Sequence, residues 1–131
     1  MQRRHFLLIA GLLACFFGLT MLGAPDQMIG NMTTSTDVGA TRVLQWMGVV
    51  LLSVGVINIA ARNDGGSTAL RAIMIGNIVL HVLGFGIDLY QYRLGFVRAS
   101  GVAMGAVVHG LLTLGFVYYL QRLSSVAARP A

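Results

Sequence analysis

Apolar residues in this chain collect into four long runs, and polar residues collect between them. The runs are Phe6 to Ala24, about Val43 to Ala61, about Ala72 to Tyr90, and about Val102 to Leu120. Each is close to the roughly 20 residues that a helix needs to cross a 30 Å hydrocarbon layer. Pro25 stops the first run, because a proline cannot continue a helix. The linkers are Pro25 to Thr41, rich in Thr, Ser, Asn and Asp; Arg62 to Arg71, with Asn63-Asp64-Gly65-Gly66; and Gln91 to Gly101. None is long enough for a further domain. The pattern predicts an all-α fold, an integral membrane four-helix bundle of up-down topology, as a single transmembrane domain over residues 1–131.

Composition narrows the picture. Hydrophobic residues make up 56% of the chain and charged residues 10%, with a mean hydropathy of +0.79. A soluble domain carries about 25% charged residues, so this chain is suited to lipid rather than water. Its net charge of +5 comes from nine Arg, with no Lys and no Glu. The Arg residues stand singly or in pairs at the ends of apolar runs, where orienting charges of membrane proteins sit. That distribution argues against nucleic acid as a partner. Lack of Lys excludes Schiff-base chemistry, and the lone Cys15 excludes an internal disulfide or thiolate cluster.

Arg placement also predicts sidedness. The N-terminus (Arg3, Arg4), the second linker (Arg62, Arg71) and the C-terminus (Arg122, Arg129) share one side and outnumber Arg42, Arg93 and Arg98 on the other. By the positive-inside rule both termini are cytoplasmic. Arg3-Arg4-His5-Phe6-Leu7 looks like a twin-arginine signal, and Leu12-Leu13-Ala14-Cys15 loosely like a lipoprotein cleavage site. The apolar run is longer than the about 7–15 residues of a secretory signal core, so a retained span is predicted.

Small residues mark helix-packing faces. Ala10, Gly11, Ala14, Cys15 and Gly18 form one face of the first helix; Gly48 and Gly55 lie seven apart on the second, and Gly101 and Gly105 four apart on the fourth. Polar residues within spans carry more information, since each is unfavourable there without a partner. At about 100° per residue, Asn77, His81, Gly84 and Asp88 fall on one stripe about 60° wide, predicted to face the bundle interior. A similar stripe on the second helix holds Arg42, Gln45, Val49 and Ser53. On the fourth, Arg98, Gly101, Gly105, His109 and Phe116 share a face, with Thr113 one turn beyond His109.

His81 and His109 sit within about 2–3 Å of the same depth. They are predicted to meet near the bilayer centre with Ser53, Asn77 and Thr113 as neighbours, an intramembrane polar cluster. Read as structure, such a pair is two neutral imidazoles whose hydrogen bonds each contribute roughly 0.6 kcal/mol. Read as chemistry, neutral imidazoles are the axial donors of a haem b, or line a pocket for a quinone or lipid. The structural reading leads, so no cofactor is expected. Zinc or iron lacks a third ligand at that depth. Arg42 and Asp88, both near the outer ends of their helices, are predicted to form an outer-edge ion pair. Trp46, Tyr90, Tyr92, Tyr118 and Tyr119 sit near span ends as interfacial anchors.

Gly18-Leu19-Thr20-Met21-Leu22-Gly23-Ala24-Pro25, then Arg42 with Gly48 and Gly55, then Ala60-Ala61-Arg62-Asn63, with Asn77 and His109 further on, resembles a group of small bacterial four-helix membrane proteins without an assigned activity. The resemblance spans most of the chain and implies a bacterial inner (cytoplasmic) membrane location. It brings no activity with it. The sequence holds no phosphate loop, nucleophile elbow, paired carboxylates or metalloprotease motif, and the first helix lacks the acidic residue of small multidrug transporters. The leading expectation is a non-enzymatic membrane subunit, scaffold or hydrophobic-ligand-binding bundle, with the lipid bilayer and either further copies of the chain or a larger membrane complex as partners. The alternatives are a bis-His haem b electron-transfer subunit and a small-molecule, quinone or lipid binding or transport protein.

Overall fold

A computed structural model describes residues 1–32 and 38–127. They form five helices: α1 (Arg3–Gly23), α2 (Pro25–Met32), α3 (Val38–Ala61), α4 (Thr68–Arg93) and α5 (Ala99–Ala127), with no strand among the described residues. Four of them, all but α2, are long and apolar enough to cross a membrane. Each span is longer than its apolar run, because polar residues at both ends of a span continue the helix at no penalty in a wetter environment. Asp37 and Arg129, which entered the predicted first loop and the predicted C-terminal charge, lie outside the described residues.

The first linker differs from the sequence prediction. It contains α2, and Pro25 opens that helix rather than only closing α1. The α1 chain stops at Gly23, and the Ala24 N–H bonds the Thr20 carbonyl at 2.9 Å. Pro25 then occupies a first helical position, where its missing N–H is not needed. Asp26 sits in the first turn of α2, complementing the helix dipole, and accepts a 2.9 Å bond from Thr41 Oγ1.

The other two turns follow from their residues. Asp64 Oδ1 accepts from the Gly66 and Ser67 N–H groups, both at 2.8 Å, and Oδ2 accepts from Ser67 Oγ at 2.8 Å. Ser67 in turn caps α4 by accepting from the Leu70 N–H at 3.1 Å. Gly66, at φ +118°, takes a conformation open to glycine. These donors hold the Asp64 carboxyl below its ordinary value of 3.8, the Ser67 N–H most and the Gly66 N–H next. At the end of α4, Gly95 at φ +79° donates to the Tyr92 carbonyl and Phe96 to that of Gln91, which is a Schellman cap.

The helices associate in pairs. α1 lies along α3 and α4 along α5, while α3 touches α4 only slightly. Between α1 and α3 the backbones nearly meet. A Cβ at Gly18 would stand 2.8 Å from the Gly48 carbonyl oxygen, and one at Gly55 would stand 2.7 Å from that of Gly11. Gly11/Gly18 and Gly48/Gly55 thus match at two levels seven residues apart, and no other residue type fits at that approach. An apolar cluster of Phe6, Leu7, Leu70, Met74, Phe116 and Tyr119 ties α1 to the second pair. The Phe6 and Phe116 rings meet edge to face at 4.8 Å. Tyr119 is buried here and donates to the Met1 carbonyl at 2.6 Å; it is a core residue, whereas Trp46, Tyr90, Tyr92 and Tyr118 are exposed. Arg3 donates to the Asp64 carbonyl oxygen, so the start of α1, the α3–α4 turn and the Tyr119 turn of α5 lie at one end.

Candidate functional site

The two helix pairs leave a cavity of about 120 Å³ between them. Most of its wall is apolar: Leu13 and Phe17 from α1, Val54 from α3, Leu80 from α4, Val108 and Leu112 from α5. Asn58, Asn77, His81 and His109 supply its polar part.

The polar wall has two layers. In the first, Asn58 of α3 and Asn77 of α4 form a reciprocal amide pair: Asn58 Nδ2 donates to Asn77 Oδ1 at 2.9 Å, and Asn77 Nδ2 donates to Asn58 Oδ1 at 3.0 Å. Asn77 Nδ2 also donates to the Ile73 carbonyl at 2.8 Å. Both side chains are buried, at 1% and 5% exposed. This amide pair joins the α1/α3 half to the α4/α5 half, where few other contacts do. Asn58 carried no weight in the sequence reading. Its signal was its position one turn beyond Gly55, on the side of α3 that the small residues turn inward.

The second layer is a row of ionisable groups between α4 and α5. The Nδ1 atoms of His81 and His109 are 2.9 Å apart, a hydrogen bond in which one ring donates and the other accepts. On its other side, His109 Nε2 stands 3.7 Å from Asp88 Oδ2. His81 is buried, while the side chains of His109 and Asp88 are 25% and 29% exposed. The His81 ring stacks on Phe116, centroids 6.0 Å apart. Two glycines make room for the row. A Cβ at Gly84 would press on the His109 ring at 3.0 Å, and a Cβ at Gly105 would collide with the Asp88 carboxylate.

Other residues of the predicted site are placed elsewhere. Ser53 is exposed on α3, and its hydroxyl donates to the Val49 carbonyl of its own helix at 2.9 Å. The cause is the glycine seam: with Gly48 and Gly55 against α1, Ser53 is turned about 140° from Gly48, away from the imidazoles. Thr113 is half-buried on α5 and outside the bonded row. The predicted Arg42–Asp88 pair does not form: among the described residues the ion pair of Asp88 is with His109. Arg42 is exposed on α3, which the same seam draws to α1 and away from α4.

The arrangement bears on the chemistry considered above. Two imidazoles sharing an axial iron hold their nitrogens about 4 Å apart, at roughly 2 Å per bond. Here the facing nitrogens are at hydrogen-bond distance, and His109 is also turned to Asp88. As placed, the residues fit a hydrogen-bonded row and not a haem sandwich. Among the described residues, no group of three His, Cys, Asp or Glu side chains is placed to hold a metal ion. The arrangement can instead present ring nitrogens and amides to a small apolar molecule carrying one or two polar oxygens. Comparison of the chain with protein-family models, curated proteins and solved structures finds no match.

Proposed function

We propose that this protein is a membrane-embedded binder of a small hydrophobic molecule bearing an oxygen head group, such as a quinone or a short lipid. The observation that carries the reading is the cavity between the helix pairs, apolar over most of its wall and edged by Asn58, Asn77, His81 and His109. Such a combination is typical of small-molecule sites, in which apolar surface supplies affinity and a few polar groups fix orientation. The role is non-enzymatic: a carrier, or a subunit that holds the molecule for a partner complex in the same membrane. We place it in a bacterial inner membrane with both termini cytoplasmic. The Arg asymmetry supports that orientation, and the contacts between the start of α1 and the α3–α4 turn bring two of the Arg-bearing segments to one end.

The test is extraction of the purified protein followed by mass spectrometry. Wild type should release an apolar ligand in near-stoichiometric amount. Val108→Trp, which fills the cavity, should keep its helical content and lose the ligand. A wild-type extract free of such a molecule, together with no rise in Tm on adding a quinone or lipid series, would contradict the reading. Reporter fusions at Asp37 and Ala131 should report opposite sides, with Ala131 inside; a periplasmic C-terminus would overturn the orientation.

A further inference from the structure

Resting on that reading of the cavity, we infer that the row Asp88–His109–His81 is a proton-linked selector. It makes the cavity take a hydroxyl-bearing ligand, such as a quinol, while Asp88 is ionised, and a carbonyl-bearing one, such as a quinone, once Asp88 is protonated.

Two neutral imidazoles carry two N–H protons between them. Each ring has one N–H and one lone pair, and the two Nδ1 atoms face each other at 2.9 Å. One of the two must therefore be protonated and the other bare. An ionised Asp88, 3.7 Å from His109 Nε2, decides which. It draws the His109 proton to Nε2, leaves His109 Nδ1 as an acceptor, and so requires the proton of His81 on Nδ1. His81 Nε2 is then a bare lone pair on a side chain that lines the cavity, and it has no hydrogen-bond partner among the described residues. It accepts a hydrogen bond and repels a carbonyl oxygen.

A protonated Asp88 reverses every member. Its O–H donates to a bare His109 Nε2, His109 Nδ1–H donates to His81 Nδ1, and His81 Nε2–H becomes a donor towards the cavity. The two states interconvert by three coupled hops. A hydronium ion reaching the cavity gives up an O–H proton to His81 Nε2 and leaves as water; His81 then releases its Nδ1 proton to His109 Nδ1, and the His109 Nε2 proton passes to the Asp88 carboxylate. Three N–H or O–H bonds form as three break, no electrons are exchanged, and both rings end neutral. The last hop needs a small rotation of the carboxylate to close 3.7 Å to hydrogen-bond length.

Two further observations indicate that the row is built. Gly84 leaves space for the His109 ring and Gly105 for the Asp88 carboxylate, so each seat comes from the opposite helix. Among the described residues no other charge intrudes. Cys15 of α1 points its Sγ to the Leu52 carbonyl at 4.0 Å. Asp26 of α2 is bonded by Thr41, and Arg42 of α3, Arg93 of α4 and Arg98 before α5 are exposed.

The experiment measures binding of decylubiquinone and of its quinol, under anaerobic conditions, to the full-length protein in lipid nanodiscs. Near neutral pH, wild type should prefer the quinol by about tenfold, the value of one well-placed hydrogen bond against an unmatched one. Acidification should invert that preference without any substitution. Asp88→Asn removes the charge that orders the row, and Gly105→Ala displaces it with the carboxylate retained; both should bring the ratio close to one. A preference that responds neither to pH nor to these variants, with both probes bound, overturns the selector and leaves the cavity reading standing. Failure of wild type to bind either probe overturns the selector; joined to a ligand-free extract and no rise in Tm across the lipid series, it overturns the cavity reading as well.

Discussion

The two helix pairs are held by opposite means. α1 and α3 meet backbone to backbone through Gly11, Gly18, Gly48 and Gly55, with hardly a polar side chain between them. α4 and α5 meet through His81, His109 and Asp88, which two glycines accommodate. In lipid there is no hydrophobic force to drive helices together, because the solvent is as apolar as the side chains. Dispersion at close approach is one remaining source of attraction and hydrogen bonding is another. This chain uses the first for one pair and the second for the other. The first seam is backbone against backbone, with the Cys15 thiol beside Gly55. The second carries titratable groups to the edge of a cavity, which is where binding chemistry can reside.

Substitutions that thicken each seam should break the symmetry of that comparison. Gly55→Leu has the largest expected effect, since even its Cβ would stand 2.7 Å from the Gly11 carbonyl oxygen and backbone cannot yield as a side chain does. A loss of about 3 kcal/mol or more is expected, visible as a large fall in Tm in detergent. Gly110→Leu is the control: nothing lies within 4 Å of a Cβ there, and Tm should hold or rise. Equal losses at both positions would refute the glycine seam.

Next in size is the amide pair that joins the halves. Asn58→Leu or Asn77→Leu alone leaves a buried amide without its partner and should destabilise by about 1–3 kcal/mol. The double leucine variant should recover much of that loss, a coupling that a double-mutant cycle measures directly. Strict additivity would mean that the amides do not pair. Smaller still is Gly105→Ala on the polar seam. Its Cβ meets the end of the Asp88 side chain and not backbone, so its stability cost should fall well below that of Gly55→Leu.

The smallest effect belongs to Asp64, exposed in the α3–α4 turn. Its carboxyl is held below the ordinary value by the Ser67 and Gly66 N–H groups and the Ser67 hydroxyl, bonds that favour the ionised form in the folded state. Their contribution is therefore complete above the ordinary value of 3.8 and is lost as pH falls through the lower folded value. Thermal melts of wild type should lose stability on acidification below about pH 4, and Asp64→Ala should flatten that limb. An unchanged acid limb would count against the turn.

The four spans were legible because length and hydropathy alone decide them in a bilayer. The stripe on α4 was legible for the same reason that it matters: Asn77, His81 and Asp88 share one face of a helix, and lipid would leave all three unpartnered. The corresponding stripe on α3 was not a guide. Arg42 and Ser53 satisfy themselves at the surface or on their own helix, whereas Gly48 and Gly55 fix which side turns inward; backbone proximity outweighed polarity. Asn58 was hidden because its place one turn beyond Gly55 gains meaning only once Gly48 and Gly55 are seen to turn that side of α3 inward. The short helix α2 was hidden because its proline reads as a stop before α1 and as a start only once Asp26 and Thr41 are seen to meet.

The contact between the two imidazoles inside the bundle is tested most directly by a nitrogen–nitrogen correlation across it. With 15N-labelled histidine and the protein in lipid bilayers, magic-angle-spinning NMR should show a cross-peak between His81 Nδ1 and His109 Nδ1, at the 2.9 Å separation found here, and His109→Gln should remove it. His81 and His109 signals with no correlation between them, both quenched by a paramagnetic probe dissolved in the acyl chains, would place the rings in lipid and contradict the account.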